Sequence, residues 1–245
     1  MRPKKQAVGT ALVSVGQIKI TPFLSLGDAV DYIIHENEIT PGFAVAINAE
    51  KVISAQNDTA VMDAINNATL RYADGIAVVW TIKQKGVANA RIPGCDLWHA
   101  LMQKAGQKNI PVFIIGAKPA VNSKTAEKLK NEFRVNLVGA VNGYFKDQSE
   151  VIEQIAASGA KIVSVAMGSP SQEEFINACR KVYPAAFYMG VGGTYDVFVG
   201  NIKRAPKWMQ RMHLEWLYRL FKQPMRIFRQ YKLIKYFSLH CQRKL

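Results

Sequence analysis

Short apolar runs alternate with segments of helical periodicity along most of this chain, and this alternation constrains the fold more than any other feature. The runs at 43–47, 111–115, 135–141, 161–166 and 185–189 are mostly apolar. Such runs are typical of parallel strands that helices cover on both faces. The sequence therefore predicts an α/β fold, a Rossmann-like and mainly parallel sheet with helices on both faces.

Segments of helical periodicity separate these strands, at 58–72, 124–133, 148–157 and 172–182. One further apolar run, 76–80, predicts another strand. Strand, helix and strand in succession are the order that parallel pairing requires, because each crossover needs a long connection.

Asp74 and Gly75 lie between the predicted helix 58–72 and the predicted strand 76–80. An acid followed by glycine commonly forms a turn, which is one interpretation. A carboxylate that enters a parallel strand near the ligand-binding edge can also act as a general base. The local sequence leaves both interpretations open.

The carboxyl ends of the predicted strands form one edge of the sheet, and ligands of open α/β sheets bind along that edge. Asn48, Gly116, Gly168 and the glycine-rich turn 190–193 lie at these ends. The sequence therefore places the ligand-binding site at this edge.

The turn that contains Gly190, Gly192 and Gly193 suits a close approach of a phosphate or sugar to the backbone. It lacks the G-x-G-x-x-G spacing of dinucleotide-binding proteins, so by itself it is a weak indication. Asp196, just beyond it, is either a turn residue or a carboxylate of the site.

The run around Ser169 has two compatible interpretations. Ser169 is a good N-cap, Pro170 suits the first helical position, and Gln172 stands where a capping box needs it. Helix initiation alone accounts for these residues. The same helix start would also point free N–H groups at the predicted site, where they can bind a diphosphate.

Positive charge is concentrated in the C-terminal part of the chain. Residues 201–245 hold twelve Lys and Arg residues and one acid, Glu215, and therefore carry +11 of the net charge of +14. We predict a division here, into an α/β core at 1–200 and a basic helical appendage at 201–245. Its interleaved aromatic residues favour an interfacial helix on an anionic membrane. The alternatives are packing on the core and a nucleic-acid arm, which lacks a recognised module.

Cysteines and apolar stretches bear on the compartment. Cys95, Cys179 and Cys241 are far apart in the sequence, which predicts reduced thiols. No apolar stretch approaches the roughly 20 residues of a membrane span, and 7–15 predicts a small strand instead of a signal peptide. We expect a cytoplasmic protein that touches the inner face of the membrane peripherally.

Motifs for metal or cofactor binding are missing from the sequence. The four histidines are scattered, and the D-x-D, H-E-x-x-H and Walker lysine patterns do not occur. We therefore expect neither a metal nor a cofactor, and we expect arginines and backbone amides to neutralise developing charge.

Taken together, the motifs resemble the WecG/TagA/CpsF family of bacterial glycosyltransferases. The resemblance covers roughly residues 40 to 230, and the matching runs stand in the family's order. These runs are 48–51, 74–75, 91–97, 116–119, 143–145, 167–173, 190–196, 204–206 and 215–220. Within the family, 45–51 and 188–197 look most like the enterobacterial branch.

The resemblance implies an inverting, metal-independent transfer by single displacement. The enterobacterial branch transfers N-acetyl-D-mannosaminuronic acid from its UDP donor, UDP-ManNAcA, to undecaprenyl-diphospho-N-acetylglucosamine in enterobacterial common antigen synthesis. The teichoic-acid branch uses UDP-N-acetylmannosamine and a similar lipid. The implied partners are a UDP-sugar, a polyprenyl-diphosphate-linked sugar and an anionic membrane surface, without nucleic acid. Outside the family, the alternative is a nucleotide-binding module or oxidoreductase with a basic arm.

By the same resemblance, Asp74 is the candidate catalytic base, which deprotonates the acceptor's 4-hydroxyl. Asn48 and Gln172 match polar positions of the family's pocket, and the arginines of the appendage match a segment that covers the site. The full set of expected substrate-binding residues is Asn48, Arg91, Gly116, Gly168, Gln172, Gly190, Gly192, Gly193, Asp196, Arg204, Arg219 and Arg226.

Two positions depart from the family's pattern. Ala46 stands where many relatives have Thr, and Ser171 stands where many have Lys, so a polar contact and a cation near the phosphates are missing.

Arg91 is either a solvated loop charge or an anion ligand. Arg91, Lys118 and the appendage arginines are the candidate partners for the carboxylate of a uronate donor.

Overall fold

The computed structural model describes residues 11–212, 214–222 and 227–245, and for 219, 221, 222 and 227–230 the backbone alone. In chain order the elements are β1 (Val13–Val15), β2 (Ile18–Ile20), α1 (Leu26–Ile33), β3 (Ile34–His35), β4 (Glu38–Ile39), β5 (Gly42–Ile47), α2 (Ala49–Ala55), α3 (Thr59–Asn66), β6 (Leu70–Ala73), α4 (Ile76–Gln84), α5 (Gly94–Gln107), β7 (Val112–Gly116), α6 (Pro119–Phe133), β8 (Leu137–Val141), α7 (Gln148–Ala157), β9 (Ile162–Ala166), α8 (Ser171–Val182), β10 (Phe187–Gly190), α9 (Thr194–Phe198), α10 (Lys207–Arg211), α11 (Glu215–Lys222) and α12 (Ile227–Cys241).

Six parallel strands form the central sheet, in the order β6-β5-β10-β9-β7-β8. Two short antiparallel pairs, β1 with β2 and β3 with β4, stand apart from it. β1 covers the end of the predicted strand 7–15, of which residues 7–10 lie outside the described residues. The predicted α/β fold with a mainly parallel sheet is confirmed.

Helices cover both faces of this sheet, as predicted. Along β9, Val163 and Val165 belong to one core cluster, while Ile162 and Ala166 belong to the other, because successive side chains of a strand point to opposite faces. The first cluster is completed by α2, α3, α4, α7, α8 and α12. The second is completed by α1, α5, α6 and α9.

The chain around Asp74 differs from the prediction. The predicted helix 58–72 is right only in its first half, because α3 ends at Asn66 and β6 follows. The predicted strand 76–80 is wrong, since these residues begin α4. Val78 and Ile82 of α4 are fully buried, and a buried helix gives the same apolar run as a buried strand. Asp74 therefore follows a strand and precedes a helix.

The start of α8 also differs from the prediction. Ser169 is not the N-cap, because the helix begins at Ser171 and Pro170 takes the cap position without a side-chain cap hydrogen bond. The N–H groups of Gln172 and Glu173 donate to the carbonyls of Gly168 and Pro170, at 2.8 and 2.9 Å. The sequence predicted free N–H groups at this helix start, and for Gln172 and Glu173 that prediction is wrong.

The last helix, α12, packs on the core through α2 and α4. Tyr236 is fully buried, and its hydroxyl lies 2.7 Å from Oγ1 of Thr81. Lys232 Nζ donates to Oγ of Ser54 at 2.7 Å. The packing alternative for the appendage therefore describes α12, while the division at residue 200 stays a prediction.

Candidate active site

The connections that follow β5 and β10 explain why a cavity lies at the carboxyl edge of the sheet. After β5 the chain enters α2 on one face, and after β10 it enters α9 on the other. Neighbouring strands whose connections leave in opposite directions open a crevice between their carboxyl ends. A cavity of about 1860 Å³ lies there. Residues of the C-terminal segment, from 200 onward, complete its lining.

Asp74 lines this cavity at the end of β6. Its backbone is held on both sides, because its N–H donates to the carbonyl of Ile47 at 3.0 Å and its carbonyl accepts from Nε of Arg91 at 2.7 Å. Tyr72, two residues earlier, is fully buried. Burial, and then the negative charge of Asp74, raise the pKa of this phenol well above its usual range. Tyr72 thus stays neutral beside the carboxylate.

Asn48 stands beside Asp74, at the end of the neighbouring strand β5. Its side chain accepts a hydrogen bond from the N–H of Lys51 at 2.9 Å and so caps α2. A Cβ on Gly75 would lie 3.1 Å from Cα of Asn48. Glycine at 75 therefore lets the ends of β5 and β6 approach each other closely, which brings Asn48 and Asp74 to the same wall.

Two arginines of the cavity wall converge on one buried carboxylate. Glu215 is 5% exposed and accepts from Nη2 of Arg91 at 3.3 Å and from Nε of Arg204 at 3.2 Å. Arg204 also forms an ion pair with Asp96. Burial lowers the pKa of Arg204, but the hydrogen bond to Asp96 and the charges of Glu215 and Asp96 outweigh it, and the net shift is upward. Arg204 therefore stays a fixed cation.

Gln172 connects α8 with the glycine-rich turn. Its side-chain Oε1 accepts from the N–H of Gly192 at 3.0 Å. A Cβ on Gly190 would lie 2.6 Å from Nε2 of Gln172, so only glycine leaves room for the amide at the end of β10. The glycine-rich turn is thus shaped by contact with Gln172.

Most of the residues predicted for the site meet in this cavity. Those that line it are Asn48, Asp74, Arg91, Gln172, Gly190, Gly192, Gly193 and Arg204. Gly116 and Gly168 lie at the ends of β7 and β9 without lining the cavity. Asp196 of α9 does not line the cavity either. Its carboxylate accepts from Nδ2 of Asn201 at 3.3 Å. The side chain of Arg219 and the whole of Arg226 lie outside the described residues.

Several cavity residues were not anticipated. Lys51, Glu173 and Glu215 supply charged groups to the wall. Glu215 could have been identified from the sequence, because it is the single acid of residues 201–245. Lys51 and Glu173 belong to the runs 48–51 and 167–173 that resemble the family, but nothing in the local sequence distinguished them as residues of the site.

Exposed apolar side chains line much of the outer part of the cavity. Trp80 of α4 and Phe237 of α12 line it and are 45% and 48% exposed. Their rings meet edge to face, with centroids 6.2 Å apart. Trp216 and Ile234 line it too, at 45% and 72% exposure. The cavity therefore leads from a polar wall at Asp74 to an apolar mouth.

The described part of the chain bears on metal binding and on membrane insertion. Within those residues, no three His, Cys, Asp or Glu side chains group closely enough to hold a metal ion. Of the helices described, none combines the length and apolar character that crossing a membrane requires.

The chain matches a known protein family over nearly its whole length. The sequence model of the glycosyl transferase WecG/TagA/CpsF family matches residues 13–245. The match includes the strands, the cavity wall and the C-terminal helices.

Proposed function

The chain belongs to the WecG/TagA/CpsF family of glycosyl transferases, and from this premise we propose that it transfers N-acetyl-D-mannosaminuronic acid from UDP-ManNAcA to undecaprenyl-diphospho-N-acetylglucosamine. Membership implies a sugar donor and an acceptor. The donor, the lipid and a role in enterobacterial common antigen synthesis are the proposal. The observation that carries it is the position of Asp74 on the wall of a cavity with a polar inner part and an apolar mouth.

In the proposed reaction, Asp74 is the general base. Its carboxylate takes the proton of the acceptor's 4-hydroxyl as that oxygen attacks the anomeric carbon of the donor. A new C–O bond forms while the bond to UDP breaks, and UDP leaves with the electron pair. One in-line displacement inverts the anomeric centre. The fixed backbone of Asp74, held through Ile47 and Arg91, suits a base that has to meet a defined hydroxyl.

Cations of the cavity wall neutralise the leaving diphosphate in this proposal. Lys51, Arg91 and Arg204 all line the cavity, and their side chains are 24%, 19% and 21% exposed. Fixed cations in a site of restricted water access stabilise developing negative charge strongly. We propose that they, and not a divalent ion, supply this charge.

The apolar mouth and the basic C-terminal segment point to a lipid-linked acceptor. Trp80, Phe237 and Ile234 offer an exposed apolar surface next to the polar wall, and an isoprenoid chain needs such a surface beside its diphosphate. Cations of the segment attract anionic lipid headgroups, each by about 1 kcal/mol near the surface. The proposed location is the inner face of the cytoplasmic membrane, peripherally bound.

A second candidate differs in the donor alone. Lys51 is paired with Glu173, and Arg91 and Arg204 are paired with Glu215. A uronate carboxylate would be a second anion, beside the diphosphate, that competes with these internal acids for the same cations, whereas the sugar of UDP-N-acetylmannosamine carries no charge. This observation favours a transferase of the teichoic-acid type as the alternative.

The test is transfer from each donor to a short-chain polyprenyl-diphospho-N-acetylglucosamine, with EDTA and anionic lipid present. Turnover with the uronate alone supports the first proposal and its metal independence. Turnover with the neutral sugar alone assigns the protein to the second candidate. Turnover that requires added divalent ions removes the metal-independent mechanism. Absence of turnover with both donors, using folded protein, overturns both candidates and favours a nucleotide-binding module.

A further inference from the structure

Glu173 is a buried carboxylate of the cavity wall that the proposed reaction does not use. The residue is 4% exposed. Its Oε1 accepts from Nζ of Lys51 at 3.2 Å and from Nε2 of Gln172 at 3.4 Å. Its Oε2 is buried and has no hydrogen-bond partner among the described residues.

A buried carboxylate oxygen without a donor is unfavourable, because it has lost water and gained no hydrogen bond. Buried polar atoms of native proteins are nearly always paired, so an unpaired one needs a specific explanation. Glu173 lines the cavity, and Lys51 beside it is partly exposed. The carboxylate therefore stands at the cavity wall, where a bound ligand can supply the missing donor.

The chemistry of this oxygen restricts its ligand. An ionised carboxylate accepts hydrogen bonds and donates none, so it repels phosphate and carboxylate groups and attracts a hydroxyl. The hydrogen bond formed is charge-assisted, and such bonds are roughly twice as strong as neutral ones.

Glu173 and Asp74 belong to different parts of the cavity wall. Glu173 lies in α8 and meets Lys51 of α2, whereas Asp74 follows β6 and stands beside Asn48, which caps α2. A ligand that reacts at Asp74 and also reaches Glu173 therefore extends past the Lys51 ammonium. A sugar nucleotide, which carries hydroxyl groups on both sides of its diphosphate, has this form.

We infer that Glu173 binds the donor by accepting a hydrogen bond from a hydroxyl of the sugar nucleotide, with Lys51 and Gln172 holding the carboxylate in place. The inference rests on the proposed function for the donor class. The hydroxyl belongs to the ribose or to the transferred sugar, and binding measurements separate these two sources.

The experiment is calorimetric titration of the full chain with UDP, 2′-deoxyUDP, 3′-deoxyUDP and UDP-N-acetylmannosamine. The variants are Glu173→Gln, which is isosteric, and Glu174→Gln, which removes the adjacent exposed carboxylate of the same helix. Loss of one charge-assisted hydrogen bond weakens binding about tenfold or more. Circular dichroism and thermal melting check the fold, and Glu173→Asp, which keeps the charge but shortens its reach, replaces Glu173→Gln if that variant does not fold.

If Glu173 binds a ribose hydroxyl, Glu173→Gln lowers the affinity for UDP about tenfold. The wild type then prefers UDP to one of the two deoxy analogues, whereas the variant binds UDP and that analogue with equal affinity. If Glu173 binds a hydroxyl of the transferred sugar, Glu173→Gln lowers the affinity for UDP-N-acetylmannosamine and leaves the affinity for UDP and its deoxy analogues unchanged. Glu174→Gln binds like the wild type in both cases. Equal binding of every ligand by wild type and Glu173→Gln overturns the inference and leaves the proposed function standing. Failure of the wild type to bind any UDP ligand overturns both.

Discussion

Nε of Arg91 donates to the backbone carbonyl of Asp74 at 2.7 Å, across 17 residues of sequence. The same guanidinium donates through Nη2 to Glu215 of α11. One side chain thereby joins the candidate base to the C-terminal segment that completes the cavity. The position of Asp74 and the position of the segment are consequently coupled.

The first prediction concerns Asp74. Asp74→Asn keeps the size of the side chain and removes the basic oxygen, so we expect the turnover number to fall by about 10²- to 10⁴-fold, the usual contribution of a general base. UDP release in the presence of acceptor measures this. Asp63→Asn, an exposed aspartate of α3, is the matched control and should retain wild-type activity. Unchanged turnover in Asp74→Asn would remove Asp74 from the role of base.

The second prediction concerns the buried ion pairs of Glu215. Glu215→Gln leaves Arg91 and Arg204 without their shared counter-charge, and we expect the free energy of unfolding to fall by about 1–3 kcal/mol. Urea unfolding measures it. Glu132→Gln removes the exposed partner of Lys128, 3.8 Å away, and should cost no more than about 0.5 kcal/mol. Equal losses in the two variants would contradict the energetic role assigned to Glu215.

The third prediction concerns the docking of α12. Tyr236 is fully buried, whereas Tyr231 of the same helix is 58% exposed. We expect Tyr236→Ala to lower the free energy of unfolding by about 3 kcal/mol or more, because it leaves a cavity and removes the buried hydrogen bond between Tyr236 and Thr81. Tyr231→Ala should change it by no more than about 0.5 kcal/mol. Limited proteolysis should cleave the C-terminal segment of Tyr236→Ala alone, and equal resistance of both variants would argue against the docked helix.

The fourth prediction concerns thiol reactivity and pH. Burial raises the pKa of the Cys179 thiol to about 12 from an ordinary value of 9.0, while Cys241 is exposed. Iodoacetamide at pH 8 should therefore label Cys241 and spare Cys179 until the protein unfolds. The folded state keeps the Cys179 proton where the unfolded state loses it, so this group's stabilisation is complete below pH 9 and declines as the pH rises from 9 towards 12. Mass spectrometry of tryptic peptides checks the labelling, and early labelling of Cys179 would contradict its burial.

The fifth prediction concerns the apolar mouth. Phe237→Ser removes an exposed ring of the cavity, so we expect a higher KM for a long-chain polyprenyl acceptor and a smaller change for a short, water-soluble one. Tyr144→Ser removes an aromatic ring that is 67% exposed and does not line the cavity. This control should behave like the wild type with both acceptors. An equal rise in KM for both acceptors would show that Phe237 does not contact the lipid chain.

The region 58–84 shows what a local pattern leaves undecided. The predicted helix contains the strand β6, and the predicted strand is the helix α4. Apolar residues surround α4 because it lies between the sheet and α12, where Thr81 meets Tyr236. Its apolar run therefore lacks the one-sided periodicity that identifies a surface helix.

The alternation of apolar runs with helical segments determined the parallel sheet, its helices on both faces and the edge where the cavity lies, because these follow from periodicity and from the path of a parallel crossover. Tertiary structure alone decided which side chains meet there. Arg91 and Glu215 are separated by 124 residues, and Lys51 and Glu173 by 122. Contacts between residues so far apart depend on the order of the strands and on the packing of α8, α11 and α12, and no local pattern carries that information.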